Sequence, residues 1–182
     1  MERIEVHAPV APAGPAAHSA SPSGRAAELA RLRLFAVIAV AVVAIDQATK
    51  ALVRARLEQG DVWPGGFDLL RITHVENSGA AFGILQGAGP LLIASSIVGV
   101  AAVIFFLRTA PAGDRLYSAA LALILGGAIG NLIDRVVRGE VTDFIDPTHY
   151  PAFNLADSAI VVGVFALILL ALRPAAASGA AD

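Results

Sequence analysis

Residues 116–137 read LYSAALALILGGAIGNLIDRVV, and this stretch decides the fold. Before Asn131 it contains no charged side chain. A helix needs about 20 mostly apolar residues to cross the hydrocarbon core of a bilayer, and this stretch meets that requirement. It ends with Asn131, Asp134 and Arg135, and ionisable groups are costly at membrane depth unless they are paired or hydrated. The stretch therefore predicts a membrane-spanning helix whose polar end carries function.

The composition of the whole chain supports a membrane protein. Of its 182 residues 57% are hydrophobic and only 15% are charged, which is far more apolar than a soluble domain of this size. The formal net charge of -2 and the scattered basic residues argue against nucleic acid as a partner. The chain has no cysteine, which excludes disulfides, a thiolate nucleophile and cysteine-ligated zinc.

Three further segments have the length and apolarity of a span. The predicted spans are about 32–53, 90–107, 116–137 and 156–172. We therefore predict an all-α membrane protein with four transmembrane helices, occupying residues 32–172. The preceding residues 1–31 are rich in Ala, Pro, Ser and Gly and are predicted to be a disordered tail, while 173–182 form a short second tail.

The distribution of basic residues predicts the orientation. Four spans place both chain ends on one side of the membrane, and basic residues favour the cytoplasmic side. Six basic residues lie in the tails and the middle loop, namely Arg25, Arg31, Arg33, Arg108, Arg115 and Arg173. Three lie in the other two loops, namely Arg56, Arg71 and Arg138. Both termini are therefore expected in the cytoplasm, with the end of the third span and the start of the fourth at the outer face.

The first outer loop, about residues 57–89, is too long to be a simple connector. Its centre, residues 67–75, is rich in β-forming residues and is bounded by Gly65-Gly66 and by Asn77-Ser78-Gly79. This pattern predicts a short strand or hairpin on the extracytoplasmic membrane surface.

Two carboxylates, Asp143 and Asp157, are predicted to meet at the outer face. Fourteen residues separate them (157 − 143), which is enough for a loop that returns to the bilayer. Two carboxylates held close together share a proton, so that one acts as a base and the other as an acid. Taken alone, however, Asp157 is better explained as a favourable charge at a helix N-terminus, and Asp143 as an ordinary loop residue. The residues alone also do not distinguish Asp143 from Asp146.

Other polar residues near the outer face have both structural and functional interpretations. Asn131 and Arg135 lie four apart on one helix face, where they could hold substrate. The structural alternative has equal weight: Asp134 pairs with Arg138, and Arg135 pairs with another carboxylate. Glycines four apart, such as Gly126 and Gly130, usually serve helix packing.

Asp46 and Lys50 are four apart in the first span and predict a supporting ion pair. His74 and Glu76 lack the spacing of a helical zinc motif, and His74 and His149 are predicted to be surface residues. We expect neither a metal nor a cofactor.

Five motifs, taken in chain order, closely resemble the motif series of bacterial lipoprotein signal peptidase, also called signal peptidase II. They are Asp46-Gln47-Ala48-Thr49-Lys50, Asn77-Ser78-Gly79-Ala80-Ala81-Phe82, Gly126 to Arg135, Val141-Thr142-Asp143-Phe144 and Phe153-Asn154-Leu155-Ala156-Asp157. The resemblance covers about residues 32–172. The loop between the two aspartates looks shorter here than in many members of that family.

The resemblance implies an aspartic endopeptidase of the inner membrane that removes signal peptides from prolipoproteins. It implies cleavage before a cysteine that already carries a diacylglyceryl group, with diacylglyceryl-prolipoproteins and membrane lipid as partners. It places the catalytic pair at Asp143 and Asp157. It also implies substrate-binding or supporting roles for a second set of residues, which are Asn77, Asn131, Arg135, Asn154, Asp46 and Lys50.

Two other classes of protein remain open from the residues. A small proton-coupled transporter or channel subunit would use the same buried acids as a proton relay. However, no ladder of polar groups leads toward the cytoplasm. A non-catalytic assembly factor would use the glycine face for partner helices, and would leave the two aspartates unexplained.

Overall fold

The computed structural model describes residues 22–66, 69–79, 89–110 and 114–173. This part of the chain is mostly helical and carries a small antiparallel sheet. The helices are α1 (Pro22–Arg56), α2 (Gly89–Thr109), α3 (Arg115–Arg138) and α4 (Leu155–Ala171). The strands are β1 (Val62–Trp63), β2 (Arg71–Asn77) and β3 (Val141–Asp146), and they lie in the order β1-β2-β3.

Helix α3 is the centre of the bundle and packs against the other three helices. Its core side chains are small or aliphatic, and Leu121 and Ala122 are almost completely buried between α1 and α2 residues such as Phe35 and Val103. Asp114 caps its first turn by accepting a hydrogen bond from the Tyr117 backbone, as short polar residues do at helix N-termini.

Close helix contacts at α3 require glycine. A Cβ at Gly127 would collide with the carbonyl oxygen of Ala156 on α4, and a Cβ at Gly126 would lie 2.7 Å from the Cβ of Val42 on α1. Since no side chain fits at these positions, the backbones approach closely, as small residues allow in membrane helices. The predicted packing role of the glycine face therefore agrees with the structure.

Three predicted spans fall within helices and the fourth, 156–172, ends one residue beyond α4, but the start of the first span differs strongly. Helix α1 begins at Pro22, well before the predicted start at Leu32, so residues 22–31 are helical rather than part of a tail. This segment contains helix-forming Ala, Leu, Glu and Arg, and an ion pair joins Glu28 to Arg31 one turn later. Arg31 also donates to Ser118 on α3, which ties the extension to the bundle. Residues 1–21 and 174–182 lie outside the described residues.

Helices α2 and α3 are long and apolar enough to cross a membrane, and α4 is an apolar helix of 17 residues. The predicted β element of the first loop is present as β1 and β2, although Phe67 and Asp68 lie outside the described residues. The third strand, β3, comes from the segment between α3 and α4 and was not predicted. It forms because Val141, Thr142 and Phe144 are β-formers that find a partner strand only in the folded chain.

The α3–α4 contact provides a test of the packing. Gly127→Ala should lower the free energy of unfolding by about 1–3 kcal/mol, because the added methyl group forces α3 and α4 apart. Thermal unfolding in detergent measures the change. Gly99→Ala on α2 is the matched control, since nothing lies within 4 Å of its added Cβ. Equal stability of the two variants would contradict the close α3–α4 contact.

Candidate active site

Asp143 and Asp157 line the same cavity, which has a volume of about 220 Å³. Asp143 reaches it from β3, and Asp157 reaches it from the first turn of α4. The predicted residues Asn77, Asn131 and Arg135 line the same cavity. Residues that are far apart in the chain therefore meet at one end of the helix bundle, where the sheet covers it.

The carboxylate of Asp143 is 3% exposed and is held by two amides. Its Oδ2 accepts a hydrogen bond of 2.8 Å from Asn77 Nδ2, and its Oδ1 accepts one of 2.7 Å from Asn154 Nδ2. Burial raises the pKa of Asp143 to about 6, and the nearby Asp157 carboxylate adds to the rise, while the two amide hydrogen bonds oppose it. Asp143 can therefore hold a proton up to about pH 6.

Asp157 is held by Asn131 and by the cap of its own helix. Its Oδ1 accepts a hydrogen bond of 2.7 Å from Asn131 Nδ2. Its Oδ2 accepts one of 3.3 Å from the Asn154 backbone N–H, while Asn154 Oδ1 accepts one of 2.9 Å from the Asp157 backbone N–H. This reciprocal arrangement is a capping box. Since Asn154 also donates to Asp143, one side chain starts α4 and joins the two aspartates.

A fully buried ion cluster lies behind the cavity. The ammonium group of Lys50 contacts Asp46 Oδ2, Asp134 Oδ2 and Asn131 Oδ1, each at 2.9 Å. None of these four side chains is more than 4% exposed. The contact with Lys50 orients the Asn131 amide so that its Nδ2 points toward Asp157. Asp46 and Lys50, predicted as an ion pair, thus act on the cavity through Asn131.

The structure corrects the predicted pairing of Asp134. The alternative of an Asp134–Arg138 pair is wrong, since Asp134 pairs with Lys50 on α1. Gln47 was not singled out from the sequence, yet its Nε2 donates to Asp46, to Asp134 and to the backbone oxygen of Gly130. The sequence feature that could have identified Gln47 is its position within the polar group from Asp46 to Lys50, in an otherwise apolar stretch of helix.

Asp146 has a different environment from Asp143. Its carboxylate forms an ion pair of 2.6 Å with Arg71 on the neighbouring strand, and it does not line the cavity. Asp143 lies three residues earlier in β3 and faces the cavity. The structure therefore separates two aspartates that the residues alone left equivalent.

Arg135 lines the cavity and has few hydrogen-bond partners among the described residues. Its Nη1 donates a long hydrogen bond of 3.3 Å to Ser96 on α2, and its buried Nε has no hydrogen-bond partner among the described residues. Arg135, Asn131 and Asp157 also line a groove of about 300 Å³ beside α2. Another groove of about 380 Å³, lined by Tyr150 and α4 side chains, likewise includes Asp157. Asp157 is thus reached from both sides of α4.

Two predictions about other polar residues have different outcomes. His149 is exposed, as predicted, but His74 is only 9% exposed and is therefore not a surface residue.

Within the described ranges, no group of three or more His, Cys, Asp or Glu side chains is arranged to hold a metal ion. Residues 80–82 of the Asn77 motif lie outside the described residues.

A buried and a partly buried aspartate that meet at the end of an apolar helix bundle are the arrangement of an aspartic-type membrane hydrolase. Residues 38–173 match the family described as signal peptidase (SPase) II. The chain belongs to the signal peptidase II family.

Relatives and solved structures agree with this membership. A lipoprotein signal peptidase of Halalkalibacterium halodurans is 44% identical over 71% of this chain and 85% of its own length. One of Dehalococcoides mccartyi is 46% identical over 75% of this chain and 88% of its own. A solved bacterial membrane enzyme superposes with a TM-score of 0.74 at 34% identity, covering 81% of this chain and 93% of that one. The protein is therefore a membrane-embedded aspartic-type peptidase.

Removal of Lys50 tests the ion cluster. Lys50→Met should destabilise the protein by about 3–5 kcal/mol, because Asp46 and Asp134 would remain buried without a counter-ion. Unfolding in detergent measures the loss. Arg56→Met, an exposed position at the end of the same helix, should change stability by less than about 0.5 kcal/mol. If Lys50→Met is as stable as Arg56→Met, the ion cluster does not stabilise the fold.

Proposed function

We propose that this protein is an aspartic endopeptidase that removes signal peptides from diacylglyceryl-modified prolipoproteins, cleaving before the lipidated cysteine at the outer face of the membrane. The observation that carries the proposal is the pair Asp143 and Asp157, which line one cavity and are joined through Asn154. Membership of the signal peptidase II family supplies the substrate class.

The two aspartates are the catalytic residues of this proposal, and together they hold one proton. The ionised carboxylate takes a proton from a water molecule, and the resulting hydroxide attacks the carbonyl carbon of the scissile peptide bond. The protonated partner donates to the carbonyl oxygen as negative charge develops there. When the intermediate collapses, the C–N bond breaks, the leaving nitrogen takes up the proton that the base received from water, and the carbonyl oxygen returns its proton to the partner aspartate. Asp143 is the natural holder of the shared proton, because burial raises its pKa to about 6.

The surrounding side chains position the reacting groups. Asn77, Asn131 and Asn154 fix the two carboxylates through their amide donors. Arg135 lines the same cavity and its Nη1 makes only one long hydrogen bond, to Ser96, so its guanidinium group is suited to donate to a substrate carbonyl oxygen. Preorganised donors of this kind need little rearrangement during the reaction, which is a main source of rate enhancement. The mechanism requires no cofactor or metal.

The four helices are proposed to span the inner membrane of a bacterium, with both termini in the cytoplasm and the peptidase domain at 32–172. Helix α1, with 35 residues, is about 52 Å long and exceeds the roughly 30 Å hydrocarbon core, so its first turns would extend into the cytoplasm. The sheet would then cover the active site at the outer face, where membrane lipid and substrate enter along the grooves beside α4.

The alternative of a proton-coupled transporter or channel subunit is not supported. Family membership points to a peptidase. In the described part of the chain, the buried carboxylates Asp46, Asp134 and Asp143 and the partly buried Asp157 gather at one end of the bundle, whereas a relay needs groups along the whole membrane path.

Removal of either carboxylate tests the catalytic assignment. Asp143→Asn and Asp157→Asn should each lower kcat by at least about 10³-fold, because the pair then lacks either its base or its shared proton. The assay uses purified protein and a diacylglyceryl-modified prolipoprotein, with release of the signal peptide measured. Asp146→Asn is the matched control and should retain cleavage, since Asp146 pairs with Arg71 outside the cavity. Normal cleavage by Asp143→Asn or Asp157→Asn would refute the assignment, and an inactive wild type would refute the function.

The shared proton predicts a bell-shaped pH dependence of kcat/KM. At low pH both carboxyls are protonated and no base remains. As the pH rises through the pKa of Asp143 at about 6, the shared proton is lost and the rate falls. Bound substrate excludes water and raises that pKa further, so the alkaline limb of kcat should lie at higher pH than that of kcat/KM. A flat profile between pH 4 and about 9 would contradict the shared proton.

A further inference from the structure

The face of the β2–β3 pair that is turned away from the cavity carries a connected set of buried and partly buried polar side chains. We call it the Thr142 network, and its members are Arg54, Thr142, Glu76 and His74. The mechanism above uses none of them. They connect the last turn of α1 to β2 and to β3, the strand that carries Asp143.

Thr142 is the central member of this network and is completely buried. Its hydroxyl accepts a hydrogen bond of 2.8 Å from Arg54 Nη1. The single hydroxyl proton is donated to the Glu76 carboxylate, whose oxygens lie 3.2 and 3.3 Å away. Thr142 thus lies between a guanidinium and a carboxylate, where hydrogen bonds are charge-assisted and stronger than between neutral groups.

His74 fixes the other end of the Glu76 carboxylate. Its Nδ1 lies 2.9 Å from the backbone oxygen of Leu57, and its Nε2 lies 2.9 Å from Glu76 Oε1. A carbonyl oxygen only accepts, so Nδ1 carries a hydrogen. The contact of Nε2 with Glu76 Oε1 is a hydrogen bond, so one proton lies between the two side chains. Glu76 is therefore held in one orientation toward Thr142.

The strand geometry connects this network to Asp143. Glu76 pairs directly with Thr142, and Val75 pairs with Asp143, so Thr142 and Asp143 are neighbours that point to opposite faces of the sheet. Asp143 forms its two hydrogen bonds only when β3 is correctly placed relative to Asn77 on β2 and Asn154 at the start of α4.

We propose that the Thr142 network positions Asp143 for the reaction by holding β3 against β2 and the end of α1. Thr142, Arg54 and Glu76 are positioning residues, since they act through the strand and contact neither the cavity nor a reacting atom. This inference rests on the proposed function, in which Asp143 is a catalytic residue. A displacement of about 1 Å at a reacting group can lower a rate by about 100-fold, so a loosened strand should affect the chemical step more than substrate binding.

Replacement of the hydroxyl tests this role. Thr142→Val keeps the shape of the side chain and removes its hydrogen bonds, and it should lower kcat by about 10- to 100-fold while KM stays within about twofold. Thr142→Ser restores the hydroxyl and should keep kcat within about threefold of wild type. The assay is cleavage of the diacylglyceryl-modified prolipoprotein, with kcat and KM determined separately.

Arg71→Gln is the matched control for damage to the sheet. It removes the Arg71–Asp146 ion pair, which joins the same two strands at the end remote from Asn77. It should leave kcat unchanged. Arg54→Gln is a second variant for the case that Thr142→Val does not fold. Arg54 is only half-buried, so its replacement should be better tolerated. Arg54→Gln should lower kcat in the same direction as Thr142→Val.

The outcomes separate the two proposals. Loss of kcat in Thr142→Val or Arg54→Gln, with Thr142→Ser and Arg71→Gln near wild type, supports the positioning role. A wild-type kcat in both Thr142→Val and Arg54→Gln overturns it, as does an equal loss in Arg71→Gln or a loss that Thr142→Ser does not restore. An inactive wild-type protein instead overturns the proposed function, and the positioning role with it.

Discussion

The ammonium group of Lys50 lies in the interior of the bundle with no exposed surface, and its nitrogen lies 2.9 Å from an oxygen of each of Asp46, Asp134 and Asn131. An ionised group in such a place is tolerated only when its charge is compensated and its donors are all used. Because the three acceptors come from two helices, this requirement fixes how α1 and α3 are placed along and around each other. The orientation of the Asn131 amide follows from the same contact, and with it the hydrogen bond to Asp157.

The start of α4 depends on the same cluster. Asp46 Oδ1 accepts a hydrogen bond of 3.0 Å from the backbone N–H of Ala156, an otherwise unpaired donor in the first turn of α4. Gly127 and Gly130 allow α4 and Asp46 to come close enough for this contact, since a Cβ at Gly130 would lie 2.7 Å from Asp46 Oδ2. Asn154 then caps the helix and reaches Asp143. The packing of the helices and the placement of the two aspartates therefore depend on the same contacts.

Asp143 is held from two sides in a different way. On the cavity face of the sheet, amides of Asn77 and Asn154 occupy its two oxygens. On the opposite face, Thr142 connects β3 to Arg54 on α1 and to Glu76 on β2. A short three-stranded sheet has little stability of its own, so its attachment to α1 defines where β3 lies. In the proposed mechanism, this rigidity keeps the shared proton between the two carboxylates.

The sequence by itself determined the apolar segments, the polar groups at their ends and, through five motifs in order, the family, and the resemblance to that family predicted Asp143 and Asp157 as the catalytic pair. These features are local, since hydropathy and motif spacing are properties of consecutive residues. Only the tertiary structure decided that Asp134 pairs with Lys50, that Asp146 pairs with Arg71 instead of lining the cavity, and that β3 exists. It also decided that His74 is buried and that α1 begins at Pro22. Most of these features depend on contacts between residues that are distant in the chain. A buried charge must pair with a group that the packed helices place next to it, and that group cannot be identified from neighbouring residues alone.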